Sequence, residues 1–254
     1  MEIEYTKEKE DFTEYRFSVQ TEPEYYVPCH LLVPKIKTDK LPLTLCLSGH
    51  GAGMHIALGV AKTEKDKKSL LEWPHRAMAL RSIKEGRCAL VIEARNFGES
   101  SLEGYGTSCT EAAKIAILAG RTVIGERVWD AMRILDAVLA AFEFIDSEDI
   151  VCTGNSGGGT VAYYLAGIDE RIAVATPSCS DENYNDALVF CSDDPKSFGR
   201  YNGGVDGAVP ITKLKAHAPE VLCENEEYYI TTCGWNTKPN PNKGAVSIAR
   251  LEWD

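Results

Sequence analysis

The sequence predicts an α/β fold with a mostly parallel central sheet and helices on both faces. Two short apolar runs, at residues 41–47 and 88–94, have the composition of strands buried on both faces, and a third, β-branched run at 150–155 is also strand-like. Helix-like segments follow these runs, and a chain that alternates strand and helix in this way forms a parallel sheet. The third run ends in a glycine-flanked serine, Gly154-Asn155-Ser156-Gly157-Gly158.

The composition is that of an ordinary soluble globular protein, with 44% hydrophobic and 26% charged residues. Its net charge of −11 disfavours nucleic acid and anionic membranes as partners, because both would repel it. No apolar run approaches the roughly 20 residues that a membrane-spanning helix needs. The charged N-terminal residues 1–8 lack the apolar core of a signal peptide, so we expect a cytoplasmic protein.

The nine cysteines are scattered singly, without a Cys-x-x-Cys motif, and the chain has only five histidines. Neither a structural zinc site nor another metal or organic cofactor is predicted from this pattern. Cys46, Cys88 and Cys152 fall within apolar runs, where cysteine acts as a small buried hydrophobe. We therefore expect reduced cysteines.

Two strands are predicted before residue 41. Residues 12–19 alternate apolar and polar side chains, which is the period of a half-exposed strand. Residues 25–34 read as a second strand, and Pro28 and Pro34 favour an edge position because proline donates no ladder hydrogen bond. His30 is expected to point outwards from this strand.

The apolar run at 41–47 leads directly into the glycine-rich loop Ser48-Gly49-His50-Gly51-Ala52-Gly53. A loop at the carboxyl end of a central strand is where an α/β sheet places backbone that contacts ligands. A simple flexible turn is the alternative interpretation. Residues 70–84 are then predicted to form one helix.

The strand at 88–94 is followed by a turn at 95–100, whose Arg95 either lines a site or orders the loop by hydrogen bonds. Residues 125–142 carry the clearest helical pattern in the chain. Their apolar stripe consists of Val128, Met132, Leu135, Leu139 and Phe142. The charged positions Arg127, Asp130, Arg133 and Asp136 can pair along the helix. A further strand is predicted at 171–177.

The strand, turn and helix around Ser156 predict a nucleophilic serine. Such a serine sits on a tight, strained turn between glycines, because the strand and the helix must approach closely. The N-terminus of the following helix also suits a negatively charged oxygen. A glycine-rich turn with an incidental serine and a phosphate-binding loop are the alternatives. No lysine stands in the P-loop position, and the glycine spacing does not fit the dinucleotide pattern.

Over residues 10 to 190 the chain resembles the α/β-hydrolase superfamily, in particular acetyl xylan esterases and dienelactone-hydrolase-like esterases. The matching pieces are the segment 27–34, Leu47-Ser48-Gly49-His50-Gly51, Arg95-Asn96-Phe97-Gly98-Glu99-Ser100, the charged pattern of the helix at 125–142 and the elbow Gly154-Asn155-Ser156-Gly157-Gly158. The resemblance implies an α/β-hydrolase-like fold. It also implies a serine carboxylic-ester hydrolase, acting on small acyl esters such as acetyl groups of carbohydrates, which needs no cofactor.

The resemblance also implies roles for individual residues. Ser156 is the expected nucleophile, and the backbone N–H of Gly157 is one donor of the oxyanion hole. The second donor is expected to be the backbone N–H of His50. Ser48 stands where the family usually has histidine, which leaves that N–H intact but changes the hydrogen bonding behind it.

The base and the acid of the expected triad are harder to assign. The superfamily order is Ser, then Asp or Glu, then His. His217 is the only histidine after Ser156, and Asp193, Asp194 and Asp206 are candidate acids between them. The family pattern places a buried strand before the acid and another before the histidine. The best later strands, at 228–233 and 245–249, instead follow His217.

We therefore expect one domain over residues 1–254, with residues 192–254 as an atypical or truncated C-terminal segment. Three interpretations of that segment stay open: it supplies His217 as the base, it is a divergent replacement without a working base, or its sequence departs from that of a complete hydrolase, for example through an altered reading frame. Besides an esterase, the sequence allows a catalytically impaired protein that binds a ligand or partner. An acyltransferase or lyase on the same scaffold is a third possibility.

Overall fold

The computed structural model describes residues 1–51, 53–101 and 109–178 and, beyond them, the seven strands β8 to β14 given below. The chain divides into two compact units, Met1–Cys179 and Ser180–Asp254. The expectation of a single domain over residues 1–254 stays a prediction, because this division describes only the contacts within each unit.

The first unit alternates strands and helices after three initial strands. Its strands are β1 Glu2–Glu8, β2 Phe12–Glu22, β3 Tyr25–Pro34, β4 Leu41–Leu47, β5 Cys88–Ile92, β6 Ile145–Asn155 and β7 Val174–Ser178. Its helices are α1 Glu64–Glu72, α2 Met78–Lys84, α3 Cys109–Leu118, α4 Val123–Ala141 and α5 Gly157–Ile168, and short 3-10 turns lie at Met54–Ile56, Pro74–Arg76 and Gly98–Ser100. No helix among the described residues is long and apolar enough to cross a membrane.

The first unit has a seven-stranded sheet in the order β1-β2-β3-β5-β4-β6-β7. The strands β5, β4, β6 and β7 are parallel, as the sequence predicts, whereas β1, β2 and β3 each run antiparallel to their neighbours in the sheet. Leu47 pairs with both Ile92 and Gly154, so the carboxyl ends of β4, β5 and β6 lie side by side. The residues that follow these strands therefore meet at one edge of the sheet.

The predicted edge position of β3 is wrong, because β3 lies between β2 and β5. Its prolines are tolerated because only Cys29–Leu32 pairs with β5, and Pro28 and Pro34 lie outside that segment. The carbonyl of Pro28 still accepts the N–H of Glu93 at 3.0 Å.

His30 does not point into solvent, as predicted, but is buried with 7% of its surface exposed. Its Nε2 lies 3.1 Å from the Arg16 guanidinium, and its Nδ1 lies 2.8 Å from a Glu14 carboxylate oxygen. Because a guanidinium only donates, Nε2 must accept and the imidazole proton must be on Nδ1. Burial and then Arg16 lower the pKa of His30, which favours this neutral form.

The predicted helix at 70–84 is wrong as a single element. Helix α1 ends at Glu72 and α2 begins at Met78, with a 3-10 turn that starts at Pro74 between them. The chain cannot continue a helix through Pro74, because proline excludes the helical conformation from the residue before it.

Helix α4 confirms the predicted apolar stripe. Val128, Leu135 and Phe142 are buried in the main core, and Met132 and Leu139 pack partly buried against it. The helix begins where the Thr122 side chain accepts the N–H of Gly125 at 3.1 Å, which is an N-cap. The predicted runs at 41–47 and 88–94 are buried almost throughout, whereas Val151, Thr153 and Asn155 of β6 are half-buried and alternate with buried residues. Cys46, Cys88 and Cys152 are fully inaccessible.

Asp130 does not pair along α4 but with Arg95, in the turn after β5. The guanidinium donates from Nε at 2.5 Å and from a terminal nitrogen at 2.7 Å, which makes a two-pronged ion pair. Asp130 also accepts from the hydroxyl of Thr21 on β2 at 2.5 Å, and the Tyr25 ring lies 4.2 Å from the guanidinium. Arg95 is therefore used to order the loop, which was one of the two predicted uses.

The described part of the second unit consists of antiparallel strands. They are β8 Ala187–Cys191, β9 Arg200–Tyr201, β10 Val205–Asp206, β11 Val209–Leu214, β12 Glu220–Glu224, β13 Glu227–Thr232 and β14 Ser247–Leu251. They form the pairs β8–β11 and β9–β10 and the three-stranded sheet β12-β13-β14. This pattern departs from the α/β alternation of the first unit, as we expected for residues 192–254.

Asp130→Ala should lower the free energy of unfolding by ~1.5–3 kcal/mol, because the buried Arg95 guanidinium loses its two-pronged partner. The guanidinium keeps the more distant carboxylates of Glu22 at 3.1 Å and Glu126 at 3.6 Å. The measurement is equilibrium denaturation in urea. The matched control on the same helix is Asp136→Ala, which removes partly exposed pairs with Arg133 and Arg171 and should cost about 1 kcal/mol or less. Equal losses in the two variants would contradict the special role of the buried pair.

Candidate active site

Ser156 stands between the end of β6 and the start of α5 with φ 53° and ψ −122°. A non-glycine residue in this region is strained by roughly 1–3 kcal/mol, and such strain persists only where the surrounding structure enforces it. A nucleophilic serine at a strand-to-helix turn requires this kind of conformation. The geometry thus agrees with the predicted elbow.

The glycines of the elbow let three backbone segments touch. A Cβ on Gly158 would lie 2.7 Å from the carbonyl oxygen of Ser48, and one on Gly154 would lie 2.7 Å from the nitrogen of Gly159. Both distances are shorter than real Cβ contacts, so neither position accepts a side chain without backbone movement. The ends of β4 and β6 and the first turn of α5 are therefore in direct contact.

The glycine-rich loop after β4 packs against the elbow. A Cβ on Gly49 would lie 3.0 Å from the Cβ of Ser156 and closer still to the carbonyl oxygen of Asn155. The backbone nitrogen of His50 lies 3.9 Å from the Cβ position of Gly157. The two predicted oxyanion donors, the N–H groups of His50 and Gly157, therefore lie next to each other at the N-terminus of α5.

The side chain of His50 also lies beside the elbow, which sequence reasoning missed. Its Nδ1 is 3.7 Å from the Cβ position of Gly157, and its ring centroid is 4.9 Å from that of the buried Phe97. The Arg127 guanidinium lies 4.3 Å from the centroid of Phe97. Burial and then the charge of Arg127 lower the pKa of His50, so its imidazole is neutral at pH 7.

Ser48 Oγ is buried, and it has no hydrogen-bond partner within the described part of the chain. It lines a small cavity together with Leu47, Ile92, Glu93, Ala94, Arg95, Arg127, Asp130, Gly157, Gly158 and Val161. This hydroxyl stands where the resembling family has histidine. The cavity reaches from the glycine-rich loop after β4 to α4.

Glu93 is the second residue that sequence reasoning missed. It follows β5 directly and is 1% exposed. It accepts hydrogen bonds from the N–H of Met54 at 3.0 Å and the N–H of Glu99 at 3.2 Å. Burial raises its pKa to about 7. The available signal is the carboxylate within the apolar run 88–94, where a buried strand rarely carries a charged side chain.

The predicted base and acids cannot be placed. His217, Asp193 and Asp194 lie outside the described residues, and the side chain of Asp206 in β10 does as well. Among the described histidines, His55 is buried and pairs with Asp66 at 3.2 Å. No group of three or more potential metal ligands occurs within the described ranges.

Gly49→Ala should lower the free energy of unfolding by ~1–3 kcal/mol, because its methyl group would overlap the backbone of Asn155. The control is Gly51→Ala in the same loop, where the nearest described atom beyond the chain neighbours would lie 3.8 Å from the new methyl group. Its effect should stay within ~0.5 kcal/mol. Urea denaturation compares the two, and a harmless Gly49→Ala would show that the loop does not pack tightly on the elbow.

Comparison with known proteins gives distant similarity to hydrolases. No protein-family model matches the chain. The "Putative hydrolase YtaP" of Bacillus subtilis is 24% identical over 164 residues, which cover 62% of this chain and 50% of that protein. The crystal structure of a "putative acetyl xylan esterase" from Bacteroides fragilis superposes with a TM-score of 0.61 at 20% identity, covering 74% of this chain and 48% of that one.

A glucuronoyl esterase from Solibacter usitatus superposes with a TM-score of 0.51 at 16% identity, covering 78% of this chain and 54% of the esterase. The chain thus spans about half the length of these proteins. At such identities the similarity establishes the fold and not the activity. With its mixed central sheet and its strand-to-helix serine, the chain has the α/β-hydrolase-like fold of these esterases.

Proposed function

We propose that the protein hydrolyses small carboxylic esters, such as acetyl esters of carbohydrates, through an acyl-enzyme on Ser156. The observation that carries the proposal is the strained Ser156 with the backbone N–H groups of Gly157 and His50 beside it. These are the parts that acyl transfer from an ester needs: a presented nucleophile and donors for the oxygen that becomes negative.

In the proposed reaction, Ser156 Oγ attacks the ester carbonyl carbon while a base takes the hydroxyl proton. The carbonyl oxygen becomes an oxyanion, and the N–H groups of Gly157 and His50 stabilise it. Each donor of this kind contributes roughly 10²–10³ in kcat. The intermediate collapses and releases the alcohol, which regains the proton from the base. Water then attacks the acyl-serine by the same steps and releases the carboxylic acid.

The proposal of a carbohydrate ester rests on what the structural relatives are called, namely an acetyl xylan esterase and a glucuronoyl esterase. The surroundings of the elbow are compatible with it, because the exposed imidazole of His50 offers a hydrogen-bonding group next to the oxyanion donors. A small-molecule ester is accordingly the partner that we propose.

We propose His217 as the base, because it is the only histidine after Ser156 in the chain. Asp193, Asp194 and Asp206 are the acids between them in the sequence order of the superfamily. The acid would orient the imidazole and stabilise its protonated form.

Wild-type protein should hydrolyse p-nitrophenyl acetate and react with a fluorophosphonate probe at Ser156, and Ser156→Ala should abolish both. Peptide mapping identifies the labelled residue. The control is Ser82→Ala, a buried serine on α2 that should leave both signals unchanged. A folded protein that is neither labelled nor active would exclude the esterase and favour the impaired, ligand-binding alternative.

His217→Gln should lower kcat for p-nitrophenyl acetate by about 10²–10⁴-fold, because the Ser156 hydroxyl loses its proton acceptor. KM should change little, since the ester contacts do not depend on the base. His75→Gln, a change at an exposed histidine, is the control that should retain full activity. Undiminished turnover in His217→Gln would refute its role as the base and leave the role of Ser156 standing.

A further inference from the structure

Glu93 is a buried ionisable group that the proposed mechanism does not use. Its side chain is 1% exposed, and it lies at the carboxyl end of β5, beside the ends of β4 and β6. Its own N–H donates to the carbonyl of Pro28 on β3 at 3.0 Å, which fixes its backbone in the sheet. A carboxylate held this firmly in the core needs compensating hydrogen bonds.

The two carboxylate oxygens bind two different loops. Oε1 accepts from the N–H of Met54 at 3.0 Å, and Oε2 accepts from the N–H of Glu99 at 3.2 Å. Met54 ends the glycine-rich loop that carries His50, and Glu99 lies in the turn that carries Phe97. One side chain therefore joins both loops.

Glycines bring the loops close enough for this contact. Gly53 and Gly98 have positive φ angles of 131° and 45°. A Cβ on Gly53 would lie 2.8 Å from the Cα of Gly98 and 2.9 Å from Oε2 of Glu93. The close approach is thus made by backbone, and the carboxylate fills the remaining space.

The joined loops also meet at the elbow. The Phe97 ring packs on the imidazole of His50 with centroids 4.9 Å apart, and the backbone nitrogen of His50 lies 3.9 Å from the Cβ position of Gly157. A shift of either loop therefore moves the N–H that completes the proposed oxyanion hole. Such donors lose their effect when they are displaced, since catalysis depends on their fixed position.

We propose that Glu93 is a positioning residue, whose ionised carboxylate ties the loop of His50 to the loop of Phe97 and so fixes the His50 N–H. The inference rests on the proposed esterase function. Glu93 touches no reacting atom and acts only through the loop backbone. Because an ionised carboxylate accepts at both oxygens and a protonated one also donates, the arrangement requires the ionised form.

Several groups set the charge of Glu93. Burial raises its pKa to about 7, the N–H groups of Glu99 and Met54 lower it, the carboxylate of Glu99 raises it and the ammonium of Lys62 lowers it. Arg95, Arg127 and Asp130 line the same cavity, and the buried Cys29 on β3 interacts electrostatically with Glu93. Glu93 therefore ionises near neutral pH, so the proposed tie forms as the pH rises through about 7.

Ionisation of Glu93 forms the proposed tie but lowers the free energy of unfolding. Because the folded pKa lies above the ordinary value of 4.5, the stabilisation linked to the neutral form is complete below that value and is lost as the pH rises through about 7. Removal of a carboxylate with a merely structural role changes the free energy of unfolding and leaves kcat unchanged. Removal of a positioning carboxylate lowers kcat.

The test is Glu93→Gln in the full chain, a change of nearly equal shape that cannot accept at both atoms. The ratio of wild-type to variant kcat for p-nitrophenyl acetate should rise from about 1 at pH 5.5 to about 10–100 at pH 8, with KM within about threefold. The ratio cancels the titration of the catalytic base, which both proteins share. Asp169→Asn is the control: this carboxylate is buried, accepts the N–H of Arg171 at 3.1 Å and follows the far end of α5. It should lose stability without a change in kcat.

Hydrogen exchange of the backbone amides in residues 49–54 and 97–99 gives a readout that needs no activity. Exchange should be faster in Glu93→Gln than in wild type at pH 8, and Glu93→Asp, whose shorter carboxylate cannot reach both N–H groups, should behave likewise. Unchanged exchange, or a pH-independent kcat ratio, would overturn the positioning role even if Ser156 is labelled. Failure of Ser156 labelling would instead overturn the proposed function, and the exchange data would still decide whether Glu93 ties the loops.

Discussion

The backbone contact between the end of β4 and the first turn of α5 is the constraint on which the rest of the site depends. Gly158 has no room for a Cβ against Leu47 and Ser48, and Gly49 has none against Asn155. These contacts bring the glycine-rich loop to Ser156 and keep its strained φ in place. The proposed oxyanion hole is a consequence of this close packing, because its two N–H groups belong to the segments that touch.

Local sequence patterns were sufficient to predict the central part of the fold. The apolar runs correspond to β4, β5 and β6, and the serine between glycines lies in the strand-to-helix turn. These features are predictable because the local sequence determines them. Errors arose where distant residues decide the outcome. His30 is buried because Arg16 and Glu14 on the neighbouring strand satisfy it, and β3 is internal because β5 pairs with it.

The polar residues behind the site were the least predictable part. Asp130 has a suitable partner on its own helix by spacing, yet it binds Arg95, which is 35 positions away. Glu93 ends an apolar run, and only the folded loops reveal which N–H groups it binds. The hydrogen-bond partners of both carboxylates lie at positions that helix or strand spacing does not relate to them. The periodicity of the sequence therefore does not predict these contacts.

The contacts around Ser156 divide into those between main-chain atoms and those between the neighbouring side chains. The elbow and its loop are held by contacts between main-chain atoms, whereas His50, Phe97 and Arg127 form the side-chain surface beside them. Substitution of an exposed side chain such as that of His50 leaves its N–H in place. The side chains beside Ser156 can therefore change while the backbone of the elbow and its loop stays in place.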